Sequence, residues 1–146
     1  MNDPVSDHVL PELFTRQAGG AVDIVAPVQV AAREGRLVVQ QCAECGSFQS
    51  PPEHLCHACL SEELAFVDHA PQGVVFSWAR VWHPVDDALA AACPYVVLLV
   101  SLPDAGNVRV IGNLVGDPDQ PIVIGSAVNA VFEHHEGYSL VQWALA

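Results

Sequence analysis

The sequence predicts a mainly β protein in which N-terminal helices lead into a cysteine-rich ribbon and then into a five-stranded barrel. Three observations carry this prediction. Two Cys-x-x-Cys pairs occur at residues 42–45 and 56–59. Helix signals precede them over residues 8–34. After them, apolar or alternating segments recur to the C-terminus, separated by Gly, Pro, Asn and Asp, a pattern typical of short strands.

Residues 1–36 are predicted to form a helical arm. The segment 8–17 would place three apolar residues on one side of a short helix: Val9, Leu13 and Phe14. A second helix is expected over 27–34, because Pro27 suits the first helical position and Gly35 is a natural stop after the last turn. The apolar side of the arm is expected to pack on a neighbouring subunit or on the chain's own ribbon.

Residues 37–70 are predicted to form a zinc ribbon. Zn²⁺ in a structural site takes four ligands in a tetrahedron, and a Cys-x-x-Cys turn supplies two thiolates at once. The predicted ligands are Cys42, Cys45, Cys56 and Cys59. A disulfide pair or a thioredoxin-like redox pair is the alternative, but a redox motif needs only one Cys-x-x-Cys. Glu53, His54 and His57 are expected to be exposed, since the four cysteines already fill the tetrahedron.

Residues 71–146 are predicted to form the barrel, with a core separate from the ribbon. After a strand that leaves the ribbon, five further strands are expected, with a break between the third and the fourth. This arrangement matches a Greek-key barrel of the OB type, and a plain antiparallel sandwich is the alternative. The strand that leaves the ribbon is predicted over Leu64–Ala70. The five barrel strands are predicted over Gly73–His83, Tyr95–Leu102, Val108–Val115, Ala127–His134 and Tyr138–Leu145.

The strand over residues 73–83 carries the one set of residues suited to a ligand. Strict alternation would place one set of side chains on a shared face: Val74, Phe76, Trp78, Arg80 and Trp82. Trp78 and Trp82 flanking Arg80 could stack an adenine ring and pair a phosphate, or form a contact with another subunit. They could equally close the barrel, with Arg80 reaching solvent.

Charge and composition bound the function. The chain has seventeen Asp and Glu against five Arg and no Lys, for a net charge of −12. A phosphate backbone is bound by clustered Lys and Arg, so no nucleic-acid partner is expected. The longest apolar run, Pro94 to Val100, is too short to span a bilayer, so no membrane partner is expected. Four cysteines in a metal pattern and no secretory signal predict a cytoplasmic protein.

No independent active site is evident in the sequence. Cys93 has no sequence neighbour that could act as its base, so we expect it to pack rather than react. His134 and His135 would point to opposite faces of a strand and are expected to be solvated. Asp86-Asp87 is expected to be a solvated turn. We therefore expect no catalysis from the chain on its own.

An ordered set of segments resembles the DUF35 family. These segments are EGRLVVQQCAECG (34–46), PP (51–52), the pair at 56–59, GVVFSW (73–78), PYVVLLVSL (94–102), NLVG (113–116) and VFE (131–133). The resemblance covers roughly residues 26 to 135 and implies a rubredoxin-like zinc ribbon joined to an OB fold. Each Cys-x-x-Cys pair and the residue after it form a tight turn, called a knuckle. One departure from the family is Leu60, which follows Cys59 where the family often has Gly, and this is expected to loosen the second knuckle.

The resemblance also implies a role in acyl-CoA metabolism. Similar proteins are non-catalytic partners of thiolase-like enzymes, including lipid-transfer-protein-type aldolases and acyl-condensing enzymes, or of MaoC-like enoyl-CoA hydratases in steroid side-chain breakdown. The implied role is a subunit of a hetero-oligomer that stabilises its partner and helps to form an acyl-CoA site. A free-standing acyl-CoA-binding module is the alternative.

Overall fold

The computed structural model describes residues 24–146, which form one helix and eight strands. The helix predicted over 8–17, with Val9, Leu13 and Phe14, lies outside the described residues. Two short 3-10 turns, Asp87–Ala92 and Pro103–Ala105, flank the fifth strand. The elements are α1 (Ala26–Arg33), β1 (Leu37–Cys42), β2 (Phe48–Gln49), β3 (Leu64–His69), β4 (Gln72–Val81), β5 (Tyr95–Leu102), β6 (Val108–Asn113), β7 (Ala127–His135) and β8 (Tyr138–Leu145).

Strands β1, β2 and β3 form the ribbon sheet, with β1 in the centre. β1 pairs antiparallel with β3 over its whole length, from Leu37 opposite His69 to Cys42 opposite Leu64. Its pairing with β2 is only two residues long and ends at Gln41 opposite Phe48. The first Cys-x-x-Cys pair therefore runs from the last residue of β1, Cys42, into the connection to β2, and the second pair lies between β2 and β3.

The other five strands form an antiparallel sheet in the order β6-β5-β4-β7-β8, which confirms the predicted barrel. An isolated bridge joins Leu114, just after β6, to Trp143 in β8. The N–H of Val115 donates to the carbonyl of Trp143 at 2.8 Å. These contacts bring the two outer strands together, so the sheet is a nearly closed barrel.

Gly112 makes this closure possible. A Cβ atom at residue 112 would lie 2.8 Å from Cδ1 of Trp143 and 2.8 Å from the carbonyl oxygen of Val141. Real Cβ atoms do not approach other atoms this closely, so only glycine leaves room for the fully buried indole. The Trp143 side chain can then pack directly against β6.

The ribbon and the barrel share one hydrophobic core. Leu37 and Val39 of β1 belong to the same buried cluster as the barrel residues Val75, Leu98 and Trp143. The expectation that the barrel core would be separate from the ribbon is therefore wrong. The physical reason is that the inward side of β1 has no other apolar layer to pack against in a sheet of three short strands.

A β-bulge interrupts the alternation predicted for β4. The pairing with β5 shifts between Val75 and Ser77, so Phe76 has no partner of its own. Phe76 is 43% exposed, whereas Trp78 packs against the core on the same side as the buried Val75. The prediction that Phe76 and Trp78 share a face is wrong, because an inserted residue reverses the alternation from that point on.

The helix α1 packs on the barrel strand β8 and on β1. It starts with proline in its first turn, as predicted, and buries Ala31 and Ala32. Small side chains on this face let the helix axis approach the strands closely. No helix among residues 24–146 combines the length and the apolar content needed to cross a bilayer.

Candidate metal centre and neighbouring surfaces

The ribbon brings four thiol groups together. The Sγ atoms of Cys42, Cys45, Cys56 and Cys59 all lie within 4.8 Å of one another. Cys42 and Cys59 are 3.6 Å apart, and Cys45 and Cys56 are 3.5 Å apart. A zinc tetrahedron with Zn–S bonds of about 2.3 Å has edges of about 3.8 Å. The four residues therefore fit a tetrahedral zinc ion with little adjustment.

The two Cys-x-x-Cys turns are built alike. In the first, the N–H of Gly46 donates to the carbonyl of Cys42, and in the second, the N–H of Leu60 donates to that of Cys56, both at 2.9 Å. Gly46 and Leu60 both have left-handed backbones, with φ of +76° and +62°. The expected loosening of the second turn is therefore wrong, because Leu60 adopts the conformation that glycine takes in the first turn.

Local hydrogen bonds and mutual crowding shift the pKa values of Cys42, Cys45 and Cys59 in different directions. The backbone N–H of Cys45 lowers the pKa of Cys42, and contacts with the hydroxyl and N–H of Ser47 lower the pKa of Cys45 to about 6. At Cys59 the backbone of Ser61 acts in the lowering direction, but desolvation and the neighbouring cysteines outweigh it and raise the pKa to about 12. Four thiolates at this distance need a cation between them, which zinc would supply.

Two buried glutamines hold the loop between the knuckles. Nε2 of Gln49 donates to Oε1 of Gln40 at 2.6 Å. Gln40 also exchanges two hydrogen bonds of 2.9 Å with the backbone of Glu53, and Oε1 of Gln49 accepts from the N–H of His57 at 2.9 Å. Sequence reasoning missed these residues, because glutamine in a strand next to a cysteine pair carries no signal of burial.

The Trp78, Arg80 and Trp82 side chains lie together, as predicted. The Arg80 guanidinium carbon is 5.2 Å from the Trp78 ring centre and 5.9 Å from that of Trp82. Its Nε donates to the carbonyl of Pro118 at 2.7 Å and its Nη2 to that of Gln120 at 3.2 Å. Arg80 thus ties the connection between β6 and β7 to β4, while Trp82 stays 57% exposed.

A mainly apolar cleft of about 840 Å³ lies where the ribbon, the helix and the barrel meet. Its walls come from α1, β1, the Pro51-Pro52 loop, β5, β6 and β8. Sequence reasoning missed it, because it depends on how the ribbon sits against the barrel. Residues that represent its walls are Val28, Val39, Pro52, Leu99, Ile111 and Leu140.

The structure also locates three other titratable candidates from the sequence: Cys93, Asp86 and His135. The Cys93 thiol has no hydrogen-bonding partner among residues 24–146. Asp86 caps a 3-10 turn by accepting from the N–H of Ala88 at 2.8 Å. His135 pairs with the buried carboxylate of Glu133 and stacks on Tyr138, with ring centres 4.6 Å apart. The expectation that His135 would be solvated is wrong, because this pairing covers its ring.

Two family models match the chain, one for each part of the fold. The model of the ChsH2 rubredoxin-like zinc ribbon domain matches residues 30–65, and that of the ChsH2 C-terminal OB-fold domain matches residues 66–133. A chain of the solved Ltp2-ChsH2(DUF35) aldolase is 32% identical, with a TM-score of 0.76 over 89% of this chain and 98% of that one. The chain belongs to the DUF35 family. The predicted zinc ribbon and OB fold are confirmed.

Two other relatives set the range of the DUF35 resemblance. A DUF35 protein of unknown function from Sulfolobus solfataricus has the same fold, with 14% identity, a TM-score of 0.61 and 92% coverage of both chains. A probable enoyl-CoA hydratase alpha subunit from Thermomonospora curvata is 39% identical over 98 residues. That match takes in 67% of this chain but only 30% of the hydratase subunit, so most of that protein has no counterpart here.

Proposed function

We propose that the chain is a non-catalytic subunit of a CoA-dependent, thiolase-like complex, with a lipid-transfer-protein-type aldolase as its partner. The observation that carries this proposal is the similarity to a chain of the Ltp2-ChsH2(DUF35) aldolase. The two chains are 32% identical, and this chain covers 98% of that one. A likeness that extends over both the ribbon and the barrel supports a shared mode of assembly better than a match to either part alone.

Zinc in the ribbon would have a structural role. The four cysteines would complete its coordination, so the ion has no open position for water or substrate. When bound, zinc supplies a cross-link between the two knuckle turns and removes the repulsion between thiolates. Gln40 and Gln49 would then hold the loop that carries the second cysteine pair.

The uses of the titratable side chains support a helper rather than a catalyst. A nucleophile needs a base within hydrogen-bond reach, and the Cys93 thiol has none among the described residues. The carboxylate of Glu133 accepts from both His135 and Nε2 of Gln142, which is a closed structural network. We therefore assign the chemistry of the complex to the partner subunit.

The cleft at the ribbon–barrel junction supports a contribution to the acyl-CoA site. A cleft of about 840 Å³ with mostly apolar walls suits a hydrocarbon chain. The Trp78/Arg80/Trp82 group stays a candidate for the nucleotide end, although two donor positions of Arg80 already serve backbone carbonyls. With only five arginines in the chain, most of the phosphate binding would come from the partner.

Two alternative functions would use the same surfaces of the chain. The cleft on its own favours a second function, a free-standing acyl-CoA-binding module that carries substrate between enzymes. The similarity to a probable enoyl-CoA hydratase alpha subunit favours a MaoC-like hydratase as the partner. All three roles place the chain with CoA-linked enzymes, in a cytoplasmic setting whose reducing conditions keep the ribbon thiols available to zinc.

The test is co-expression with a thiolase-fold aldolase subunit. We expect a stable hetero-oligomer in size-exclusion chromatography with light scattering, aldolase turnover that rises when the chain is added, and no turnover by the chain alone. In the same assays, Trp82→Ala should weaken the complex or CoA binding without changing the zinc content. Tight CoA binding by the isolated chain with no complex would favour the carrier function, and a complex with a hydratase alone would favour that partner.

Cys93→Ser is the matched control for the assignment of the chemistry. The variant should leave the turnover of the complex nearly unchanged, because no residue in the described range 24–146 forms a hydrogen bond with the thiol. Abolished turnover would make Cys93 a nucleophile and would contradict the helper role.

A further inference from the structure

The second knuckle keeps leucine where its twin has glycine. Gly46 and Leu60 occupy the same place in the two turns, follow the second cysteine of each pair and make the same 2.9 Å hydrogen bond. Leu60 has a φ of +62°, in the left-handed region that side chains with a Cβ atom disfavour. The first turn shows that glycine can adopt this geometry. The fold therefore does not require leucine at residue 60, and leucine adds backbone strain there.

Nothing within the described chain compensates for this strain. The Leu60 side chain is 71% exposed, so it adds little to any core. Leu55 is also 44% exposed, and the hydrogen bond from Cys56 N–H to the carbonyl of Ser61 holds the segments before and after the knuckle side by side. Backbone strain that persists without an internal benefit points to an external contact.

The surroundings of this apolar tip define the chemistry of that contact. Residues 42–63 contain no arginine or lysine and carry four acidic residues: Glu44, Glu53, Glu62 and Glu63. Within the described part of the chain, none of these carboxylates forms an ion pair. The N–H of Ala43 donates to the carbonyl of Glu63 at 2.8 Å, which places the acidic exit of the second knuckle beside the first. The tip is therefore apolar with an acidic rim.

We propose that Leu60 and Leu55 form a docking knob that enters an apolar socket, rimmed by basic side chains, on the aldolase subunit. This inference rests on the proposed function and adds the surface that makes the contact. Burial of the two leucines in the socket would offset the strain, and the unpaired carboxylates would steer the approach and fix its orientation. The zinc-linked turns hold the knob rigid, which limits the entropy lost on binding.

Leu60→Gly tests the proposal through two effects of opposite sign. In the isolated chain the variant should raise the thermal midpoint by about 3 °C, because glycine removes the strain. Its affinity for the aldolase subunit should fall about tenfold or more, because the knob is lost. Val123→Ala is the matched control. It truncates a different exposed apolar side chain, which is 64% exposed, and should leave the affinity unchanged.

The acidic rim is tested separately. Glu62→Gln combined with Glu63→Gln should slow association with the aldolase subunit and flatten its dependence on ionic strength, with the zinc content unchanged. An unchanged association rate would contradict the basic rim of the socket.

The other outcomes are also decisive. Wild-type affinity in Leu60→Gly would overturn the knob and leave the proposed function standing, whereas failure of the wild-type chain to bind the aldolase would overturn both. If Leu60→Gly does not raise the thermal midpoint, Leu60 is not strained and the argument from strain is wrong. Dimerisation of the wild-type chain that Leu60→Gly abolishes would replace the aldolase with a second copy of this chain and so refute the proposal.

Discussion

Each knuckle offers the metal one sheltered and one exposed sulphur. Cys42 and Cys56 are buried, whereas Cys45 and Cys59 face solvent. A chelator or an oxidant would reach the exposed pair first, while the buried pair stays anchored next to the sheet. Loss of zinc is therefore expected to begin at Cys45 and Cys59.

Replacement of a buried ligand should remove the metal. Cys42→Ser is expected to reduce bound zinc from about one per chain to almost none, because a structural site with three thiolates loses most of its affinity. The thermal midpoint should also fall, since β1 carries both Cys42 and the shared-core residues Leu37 and Val39. Zinc analysis and thermal unfolding measure the two effects. Cys93→Ser should keep its zinc, and a metal-free protein with a fully ordered ribbon in NMR spectra would refute the zinc site.

A methyl group at Gly112 should destabilise the barrel. The Cβ of Gly112→Ala would meet the carbonyl oxygen of Val141 and the Trp143 ring at 2.8 Å, and neither can move away cheaply. We expect a loss of about 2 kcal/mol in the free energy of unfolding, measured by urea denaturation. Ile111→Ala, at an adjacent residue with 68% exposure, should change it by less than about 0.5 kcal/mol. Equal effects of the two changes would show that the barrel seam is loosely packed.

At the scale of the elements, β4 connects three parts of the fold. It pairs with β5 along most of its length and with β7 near its start. Beside its bulge, the N–H of Gly125 donates to the carbonyl of Val75, and the carbonyl of Ser126 accepts from the N–H of Val75, at 2.8 and 2.9 Å. Arg80 holds the same connection from the other end of the strand. The segment between β6 and β7 is therefore fastened twice to one strand.

Removal of the second fastening should loosen that segment. Arg80→Gln loses the donors to the carbonyls of Pro118 and Gln120 and is expected to lower the free energy of unfolding by about 1–2 kcal/mol. Hydrogen exchange at the amides of Gly125 and Ser126 should accelerate as the segment opens. Arg109→Gln is the control, because the Arg109 guanidinium makes no hydrogen bond within residues 24–146 and stacks on the Phe76 ring, with its carbon atom 3.6 Å from the ring centre. Unchanged exchange in Arg80→Gln would show that these two hydrogen bonds do not hold the segment.

Local signals explain which elements the sequence could predict. The bounds of β5 are as predicted, because a strand with apolar residues on both sides is unmistakable between Pro94 and Pro103. The cysteine cluster follows from its spacing. The bulge at Phe76 could not be predicted, because the backbone beside it is hydrogen-bonded to the distant residues Gly125 and Ser126. Neither could the cleft and the buried glutamines, which depend on how the ribbon meets the barrel.

Charge is a property of the whole molecule. The net charge of −12 is uneven, since residues 42–63 contain four acidic residues and no arginine. Among the cations, Arg36 is already bound to Glu34 and Asp68, each at 2.6 Å. Few positive groups are left to neutralise an anionic partner, so a partner with a basic surface is favoured.

Nucleic-acid binding is expected to be absent. At physiological salt, single-stranded DNA or RNA should bind with no more than nonspecific affinity, because five arginines and no lysine cannot form a basic stripe and the acidic excess repels the strand. Fluorescence anisotropy with a labelled oligonucleotide measures this. Sub-micromolar affinity that falls steeply with added salt would contradict the prediction.

The shared core has a consequence for how this chain can be inherited. Because Leu37 and Val39 belong to one buried cluster with the barrel residues, a gene rearrangement that separated the ribbon from the barrel would expose apolar surface on both pieces. The pair is expected to move between proteins as one cassette. We expect a fusion junction to be tolerated before α1 or after β8, but not within the short turn at Ala70-Pro71 that joins β3 to β4.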